Sequence, residues 1–254
     1  MMLNTRQKAI IEYLAGHKYA TVTKLSEVLF FSASTIRRDL TKLEEEKYVL
    51  RTHGGATLAT GNGAEIPIAY REETNRAAKC AIGRYAAKLI NSGDTIFMDS
   101  SSTVAHMTAY MEHLKNVTVI TNGAQTALDL GELHSFKVIC TGGYLRENSL
   151  SYVGMFGEKC LSNVHVDKMF FSSRAIDIEN GASEINEEET KLRQIILGRS
   201  TTSYYLAEAG KFGKTAPYRI CGVDEINTVI TDSTLENADI WTGIDIVVCN
   251  LQDK

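Results

Sequence analysis

Ser32-Ala-Ser-Thr-Ile-Arg-Arg-Asp-Leu40 decides how the first quarter of this chain folds. Ile36, Leu40 and Leu43 recur at i, i+4 and i+7, so one stripe of a helix docks on a core while Ser34, Thr35, Arg37, Arg38 and Lys42 face outward. Small hydroxyl residues let such a helix approach a major groove closely, and guanidinium forks bond guanine edges or phosphates in pairs. Upstream, Thr21-Val-Thr-Lys-Leu-Ser-Glu-Val-Leu29 reads as the preceding helix, capped by Thr23. Phe30-Phe31-Ser32 forms the turn, and Ser32 caps the outward-facing helix. A first helix starts at Asn4, with Gln7 as its capping partner, and ends at Gly16. Downstream, Tyr48-Val-Leu-Arg51 alternates as a strand, Gly54-Gly55 closes a tight turn, and Arg51 and His53 are set to touch DNA backbone or minor groove. The sum is a winged helix-turn-helix over residues 1–58.

An Arg-Arg-Asp run on an amphipathic helix is also what a salt-bridged surface shows, and a trihelical head can bind protein. Three features coincide here in favour of double-stranded operator DNA: hydroxyl residues at the helix start, cations on its outer face, and a wing carrying Arg51 and His53. Charge agrees. Residues 1–58 hold nine Lys/Arg against six Asp/Glu, a net of +3, whereas the remainder holds 18 against 25, a net of -7. A cationic head neutralises phosphates, and an acidic body is repelled by them.

At 254 residues, with 44% apolar and 23% charged content, the chain has room for two soluble globular units and fits no disordered or fibrous class. Arg6, Lys8 and Glu12 interrupt the first apolar stretch, and no run of about 18 apolar residues exists. Neither a secretory signal nor a membrane span is expected, which places the chain in the cytoplasm. Cys80, Cys140, Cys160, Cys221 and Cys249 are odd in number and widely spaced, which suits buried reduced thiols rather than disulfides or a metal site.

Residues 59–75 are rich in glycine, contain one of the two prolines and keep no period, so they read as a linker. Beyond them, over 76–254, short β-branched runs at 95–99, 117–121, 137–140, 168–172, 203–206, 228–231 and 244–249 alternate with amphipathic helices at 76–90, 102–114, 124–133 and 186–197. That alternation predicts an α/β unit with a mostly parallel sheet and helices on both faces.

In such sheets ligands gather at the carboxyl ends of strands, where free helix amides attract anions. Asp99-Ser100-Ser101-Ser102-Thr103 follows the first strand and offers hydroxyls and amides together as a phosphate cradle. Thr121-Asn122 and Gly142-Gly143 close the next two strands, and Glu208 with Lys211 supplies an acceptor and a cation for a sugar hydroxyl and a phosphate. Each loop also has a structural explanation: Asp99 or Ser100 as a helix cap, Thr-Asn-Gly as an ordinary turn, Gly-Gly for positive φ. Four of them at strand ends favour a shared pocket. His106 and His113 lie too far apart on one helix to share a metal, and Glu187-Glu188-Glu189 reads as a solvated helix start. With no nucleophile elbow, phosphate-loop lysine motif or dinucleotide fingerprint, no catalytic residue, metal or cofactor is expected.

Residues 32–40 followed by Arg51-Thr-His-Gly-Gly-Ala56 resemble the helix-turn-helix and wing signature of the DeoR-type bacterial transcriptional regulators. Glu65-Ile-Pro67, Arg71, Ile82-Gly83, the 99–103 loop, Thr121-Asn122, Gly142-Gly143, Tyr152-Val-Gly154 and Lys211-Phe-Gly213 are similar to that family's sensor-domain landmarks, in order. The resemblance implies a repressor of a sugar-catabolic operon that releases DNA when a phosphorylated sugar binds a sensor domain similar to ribose-5-phosphate isomerases. It departs from the family at Lys47 and Ala175, where glycine is usual, at Ser101-Ser102 for Gly-Thr, and at Glu208 for aspartate. The longer Glu208 implies an effector that is smaller, differently oriented or atypical. A homo-oligomer, dimer or tetramer, is expected, since paired heads span half-sites about 10 base pairs or a multiple apart. The rival readings are a sugar-phosphate isomerase with an accessory head, using Asp99 or Glu208 as base and Lys211 as electrophile, and a protein-binding scaffold.

Overall fold

Asn4 and Gln7 exchange hydrogen bonds at the start of α1 (Thr5–His17): the Gln7 amide donates to Asn4 Oδ1 (2.9 Å) and the Asn4 amide to Gln7 Oε1 (3.0 Å). The helix continues through Gly16 to His17, whose ring stacks on Tyr13 at 4.1 Å. β1 (Tyr19–Thr21), α2 (Val22–Leu29), α3 (Ala33–Glu45), β2 (Val49–Thr52) and β3 (Gly55–Leu58) follow. The cap of α2 is Thr21 rather than Thr23. Its hydroxyl accepts from the Lys24 amide at 3.0 Å, because pairing of β1 with β3 leaves Thr21 extended just before the first helical residue. Thr23 lies exposed in the first helical turn. α2 ends on Phe30 at φ 57°, and Ser32 caps α3 by accepting from the Thr35 amide at 3.2 Å.

Ile36, Leu40 and Leu43 are fully buried against Ile10, Ile11, Leu14, Leu25 and Val49, so the expected stripe is the core of this unit. β3 lies between β1 and β2, antiparallel to both. Gly55 sits so close to β1 that a Cβ there would lie 2.3 Å from the Ala20 carbonyl oxygen. The computed structural model describes residues 4–17, 19–46, 48–58, 67–233, 235, 241 and 243–251. It divides into two units, Met1–Thr74 and Asn75–Lys254. Part of the expected linker is helical: Pro67, with its fixed φ, opens α4 (Ile68–Glu73), and Tyr70 is buried in the core of the first unit. Residues 59–66 and Lys47 lie outside the described residues.

The second unit runs α5 (Arg76–Ala87), β4 (Thr95–Met98), α6 (Ser102–Ala105), β5 (Val117–Thr121), α7 (Ala124–Glu132), β6 (Phe136–Cys140), β7 (Tyr144–Arg146), β8 (Ser151–Val153), α8 (Met155–Ser162) and β9 (Val166–Phe171). β10 (Ala175–Asp177), β11 (Gly181–Glu184), α9 (Glu187–Leu197), β12 (Ser200–Leu206), β13 (Tyr218–Cys221), β14 (Thr228–Thr231) and β15 (Asp245–Val248) complete it. A seven-stranded sheet has the order β15-β14-β12-β9-β4-β5-β6, with every neighbouring pair parallel. Alternate residues fill two apolar layers. Phe97, Met169, Phe171 and Tyr205 meet Leu192 and Ile196 of α9 on one face, while Met98, Phe170 and Leu206 meet Ile82 and Ala86 of α5 on the other. All seven expected strands are present.

The single helix expected over 102–114 is instead α6 and a separate 3-10 turn, Thr108–Tyr110. His106 Nδ1 and the Thr108 hydroxyl meet the Ser102 and Ala105 carbonyls at 2.8 Å, and Gly83 of α5 presses against the His106 backbone. The β7–β8 hairpin, α8 and the antiparallel sheet β10-β11-β13 are additional. None of the five cysteines is in a disulfide, but only Cys221 and Cys249 are buried; Cys140 is exposed because it lies on β6, the edge strand. Among the described residues, no helix is long and apolar enough to cross a membrane. Replacing the true cap, Thr21→Ala, is expected to cost about 1 kcal/mol in thermal denaturation, against under about 0.5 kcal/mol for Thr23→Ala.

Candidate functional site

On α3, Ser34, Arg37, Arg38 and Lys42 are exposed opposite the buried stripe, and Thr35 is half-buried. Asp39 turns the other way. It is buried and held by Arg6, which bonds it through Nε and, at 3.1 Å, through Nη2. Arg6 also covers the Phe31 ring at 5.1 Å. The acid of the Arg-Arg-Asp run is thus neutralised from α1, and among the described residues neither Arg37 nor Arg38 pairs with a carboxylate. Ser32 is spent on the helix start, its hydroxyl 2.9 Å from that of Ser34 and 2.8 Å from that of Thr35. Arg51 of β2 donates to the Thr41 hydroxyl of α3 at 3.1 Å, which joins the wing to the outer face of that helix. His53 and Gly54 are exposed at the wing turn, where Gly54 adopts φ 81°, whereas Gly55 is buried beneath β1 and serves close packing. A cationic helix face beside a basic strand can grip a duplex.

In the second unit the loops after β4, β5, β9 and β12 are tied together at the carboxyl edge of the parallel sheet. Asp99 accepts from the Ser101 amide (2.9 Å), the Ser172 amide (3.0 Å) and Arg193 Nε (2.8 Å), so its carboxylate organises loops instead of standing open. Arg193, fully buried on α9, also faces Glu189 (3.4 Å) and Glu184 (3.8 Å). Glu189 in turn accepts from Arg146 (2.7 Å) and the Ser151 hydroxyl (2.5 Å). Burial by itself would raise the Glu189 pKa, yet Arg193, Ser151 and Arg146 bring it down to about 2. Burial disfavours the charge on Arg193, but Asp99, Glu189 and Glu184 hold it protonated beyond the ordinary arginine range.

Ser100 to Thr103 are all buried, and Ser101 caps α6 by accepting from the Val104 amide at 3.3 Å. Asn122 joins the next loop to this one, its Nδ2 donating to the Ser100 hydroxyl at 3.3 Å, while the Thr121 hydroxyl accepts from the Gly123 amide at 3.0 Å. Two buried atoms here, Thr103 Oγ1 and Asn122 Oδ1, have no hydrogen-bond partner, and neither has Thr231 Oγ1 at the end of β14. An orphaned buried polar atom costs about 1–3 kcal/mol, so three of them beside these loops fit a polar ligand. Glu208 lies between two ammonium groups, Lys79 at 3.1 Å and Lys211 at 3.7 Å, and Lys211 reaches the Ser172 hydroxyl at 2.9 Å. Burial would raise the Glu208 pKa, but Lys211 and then Lys79 bring it below the usual carboxylate range. Gly142 and Gly143 do a different job: both have positive φ, and a Cβ on Gly143 would lie 2.1 Å from the Val153 carbonyl oxygen, so they admit the β7–β8 hairpin.

Sequence reasoning missed Lys79, Arg146, Ser172, Glu184 and Arg193, and it treated Glu189 as solvated although only Glu187 of that trio is exposed. A signal was present for two of them: Lys79 interrupts the apolar face of Ala78, Ile82 and Ala86, and Arg193 stands four residues after Glu189.

The chain matches the DeoR-like helix-turn-helix domain over residues 6–61 and the DeoR C terminal sensor domain over 74–233. The uncharacterized HTH-type transcriptional regulator YulB of Bacillus subtilis strain 168 is 36% identical over 240 residues, 94% of this chain and 93% of its own. The HTH-type transcriptional repressor GlcR of the same organism is 34% identical over 235 residues, 91% and 89% of the two chains. Ribose 5-phosphate isomerase A of Methanocaldococcus jannaschii aligns with a TM-score of 0.41 at 14% identity over 54% of this chain and 55% of that one, too distant to bear on fold or chemistry.

Arg193→Met would strand Asp99, Glu184 and Glu189, so urea denaturation is expected to show a loss of about 3–5 kcal/mol. Glu189 has a depressed pKa, so its stabilisation is complete above its ordinary value of 4.5 and fades as pH falls toward about 2. Stability measured by urea denaturation between about pH 6 and pH 3 is therefore expected to fall more steeply with acidity in the wild type than in Glu189→Gln.

Proposed function

The chain belongs to the DeoR family of helix-turn-helix transcriptional regulators, and on that premise we propose that α3 reads operator DNA while the sheet edge of the second unit senses a phosphorylated sugar. The observation that carries the proposal is the orientation of α3: the acid of its Arg-Arg-Asp run, Asp39, is locked inward by Arg6, and Arg37, Arg38 and Lys42 are left outward. Ser34 and Thr35 allow close approach at the start of the helix, and Arg51 and His53 follow the backbone beside the groove.

For the effector, hydroxyls and amides of the 99–103 loop with Lys211 suit a phosphate, and Glu208 with the free acceptor on Asn122 suits sugar hydroxyls. Lys79 holds Glu208 in place from α5. Binding without turnover is favoured by the state of Asp99, whose oxygens already serve Ser101, Ser172 and Arg193 and so make a poor general base. The chain acts in the cytoplasm as a homo-oligomer, repressing a sugar-catabolic operon until the effector favours an arrangement of heads that no longer fits the operator.

Arg37→Ala/Arg38→Ala is expected to abolish binding to promoter fragments at fixed salt, with the thermal midpoint unchanged; wild-type affinity in that variant would refute the assigned face. In a thermal-shift screen of pentose and hexose phosphates, a true effector at 100 times its dissociation constant should stabilise the chain by about 2.7 kcal/mol. Lys211→Ala should lose that shift.

A further inference from the structure

Lys211 carries one of the two ammonium groups at Glu208, yet its own segment does little to fix it. It ends the short 3-10 turn Ala209–Lys211 and stands between Gly210 and Gly213, where a Cβ on either glycine would meet nothing within 4 Å. Gly213 adopts φ 66°. Paired glycines leave a backbone wide freedom. The turn is tied at its start, where the Ala209 amide donates to Asp232 Oδ1 at 2.7 Å, and within itself, where the Lys211 amide donates to the Glu208 carbonyl at 3.0 Å.

Its far end is held by a ring. Phe212, directly after Lys211, bridges to Ile176 and meets the Trp241 ring edge-to-face, with centroids 5.2 Å apart and planes at 75°. That is an arrangement aromatic pairs prefer. Trp241, the sole tryptophan of the chain, is buried in the apolar layer that also holds Phe171, Ile176 and Tyr205. It is fixed to the sheet in turn: the Ile244 amide donates to its carbonyl at 3.4 Å, and β15 begins at the next residue, Asp245. Ring and ammonium leave the backbone in different directions, Phe212 into the apolar layer and Lys211 to the Ser172 hydroxyl at 2.9 Å and Glu208 at 3.7 Å.

We propose that Trp241 is a positioning residue of the effector site: through Phe212 it holds the Lys211 backbone where the ammonium reaches both Ser172 and an incoming phosphate. The proposal rests on the effector site described under the proposed function. A lysine head rides on a flexible four-carbon stem, so with its backbone also loose it would spread over many positions, and binding would first have to gather them at a cost in affinity. Anchoring Phe212 removes that cost before the ligand arrives. A residue beyond the 74–233 span of the sensor-domain match thereby becomes part of the sensor.

Hydrogen exchange and effector affinity of the full chain test this in Trp241→Leu, which stays apolar but loses the ring, and in Trp241→Phe, which keeps a smaller ring. Without ligand, Trp241→Leu is expected to speed amide exchange at residues 210–214 about tenfold or more while residues 117–121 keep wild-type rates, and Trp241→Phe to stay near the wild type. With the member of a panel of pentose and hexose phosphates that stabilises the wild type, Trp241→Leu is expected to bind about tenfold more weakly, a loss of about 1.4 kcal/mol, and Trp241→Phe to recover most of it. Wild-type exchange at 210–214 in Trp241→Leu, wild-type affinity in that variant, or a Trp241→Phe as weak as Trp241→Leu overturns the proposal. Should Trp241→Leu misfold, Phe212→Leu is read in its place, with the same faster exchange and tenfold loss expected and wild-type behaviour overturning the proposal. A panel in which no phosphate stabilises the wild type refutes the effector function, and the exchange rates at 210–214 then decide the anchor alone.

Discussion

A guanidinium taken out of water needs its charge answered from every side, and the second unit is arranged around the burial of Arg193. Asp99 meets it from the end of β4, Glu184 from β11 and Glu189 from its own helix, and Asp99 also collects the amides of Ser101 and Ser172. Through that one carboxylate the loops after β4 and β9 are fixed relative to α9. Lys211 extends the chain of contacts from Ser172 to Glu208, and Lys79 closes it from α5. Elements far apart in sequence thereby become one polar floor beneath the strand ends. Such a floor is rigid when fully paired and costly to disturb, which suits a site meant to hold a ligand in one orientation.

The first unit solves a different electrostatic problem. An acid set among the arginines at the centre of a cationic helix face would compete with phosphate for them. Asp39 is removed from that surface by burial and by Arg6, whose guanidinium is steadied over Phe31. The same bond ties α1 to α3, so a single contact both braces the trihelical core and keeps the acid next to Arg38 off the outer face. The wing is placed by Gly55, where only a missing side chain lets β3 pass β1.

Local pattern was enough for much of this. The i, i+4, i+7 stripe of Ile36, Leu40 and Leu43 and the seven β-branched runs need only their own neighbours to be read, and they marked the head, the parallel sheet and the strand-end loops. What escaped depends on partners distant in the chain. Arg193 and Asp99 are 94 residues apart, so nothing local distinguishes that arginine from a surface one. Thr21 and Thr23 are equally good caps by composition, and the choice is made by pairing between Thr21 and Gly55. The three-residue strands of the hairpin are too short to show a period, yet they carry the exposed Tyr144 and brace Asn122. Gly142 and Gly143 sit at a strand end as a ligand loop would, and the close approach of Val153 accounts for the second of them.

Hydrogen exchange of the full chain with each member of a panel of pentose and hexose phosphates tests most directly whether the strand-end loops form one site. With a binding member, slowed exchange is expected together in residues 99–103, 121–123, 172–175 and 207–211. Slowing confined to one of those loops, or none with any phosphate, would contradict a shared site organised on Arg193.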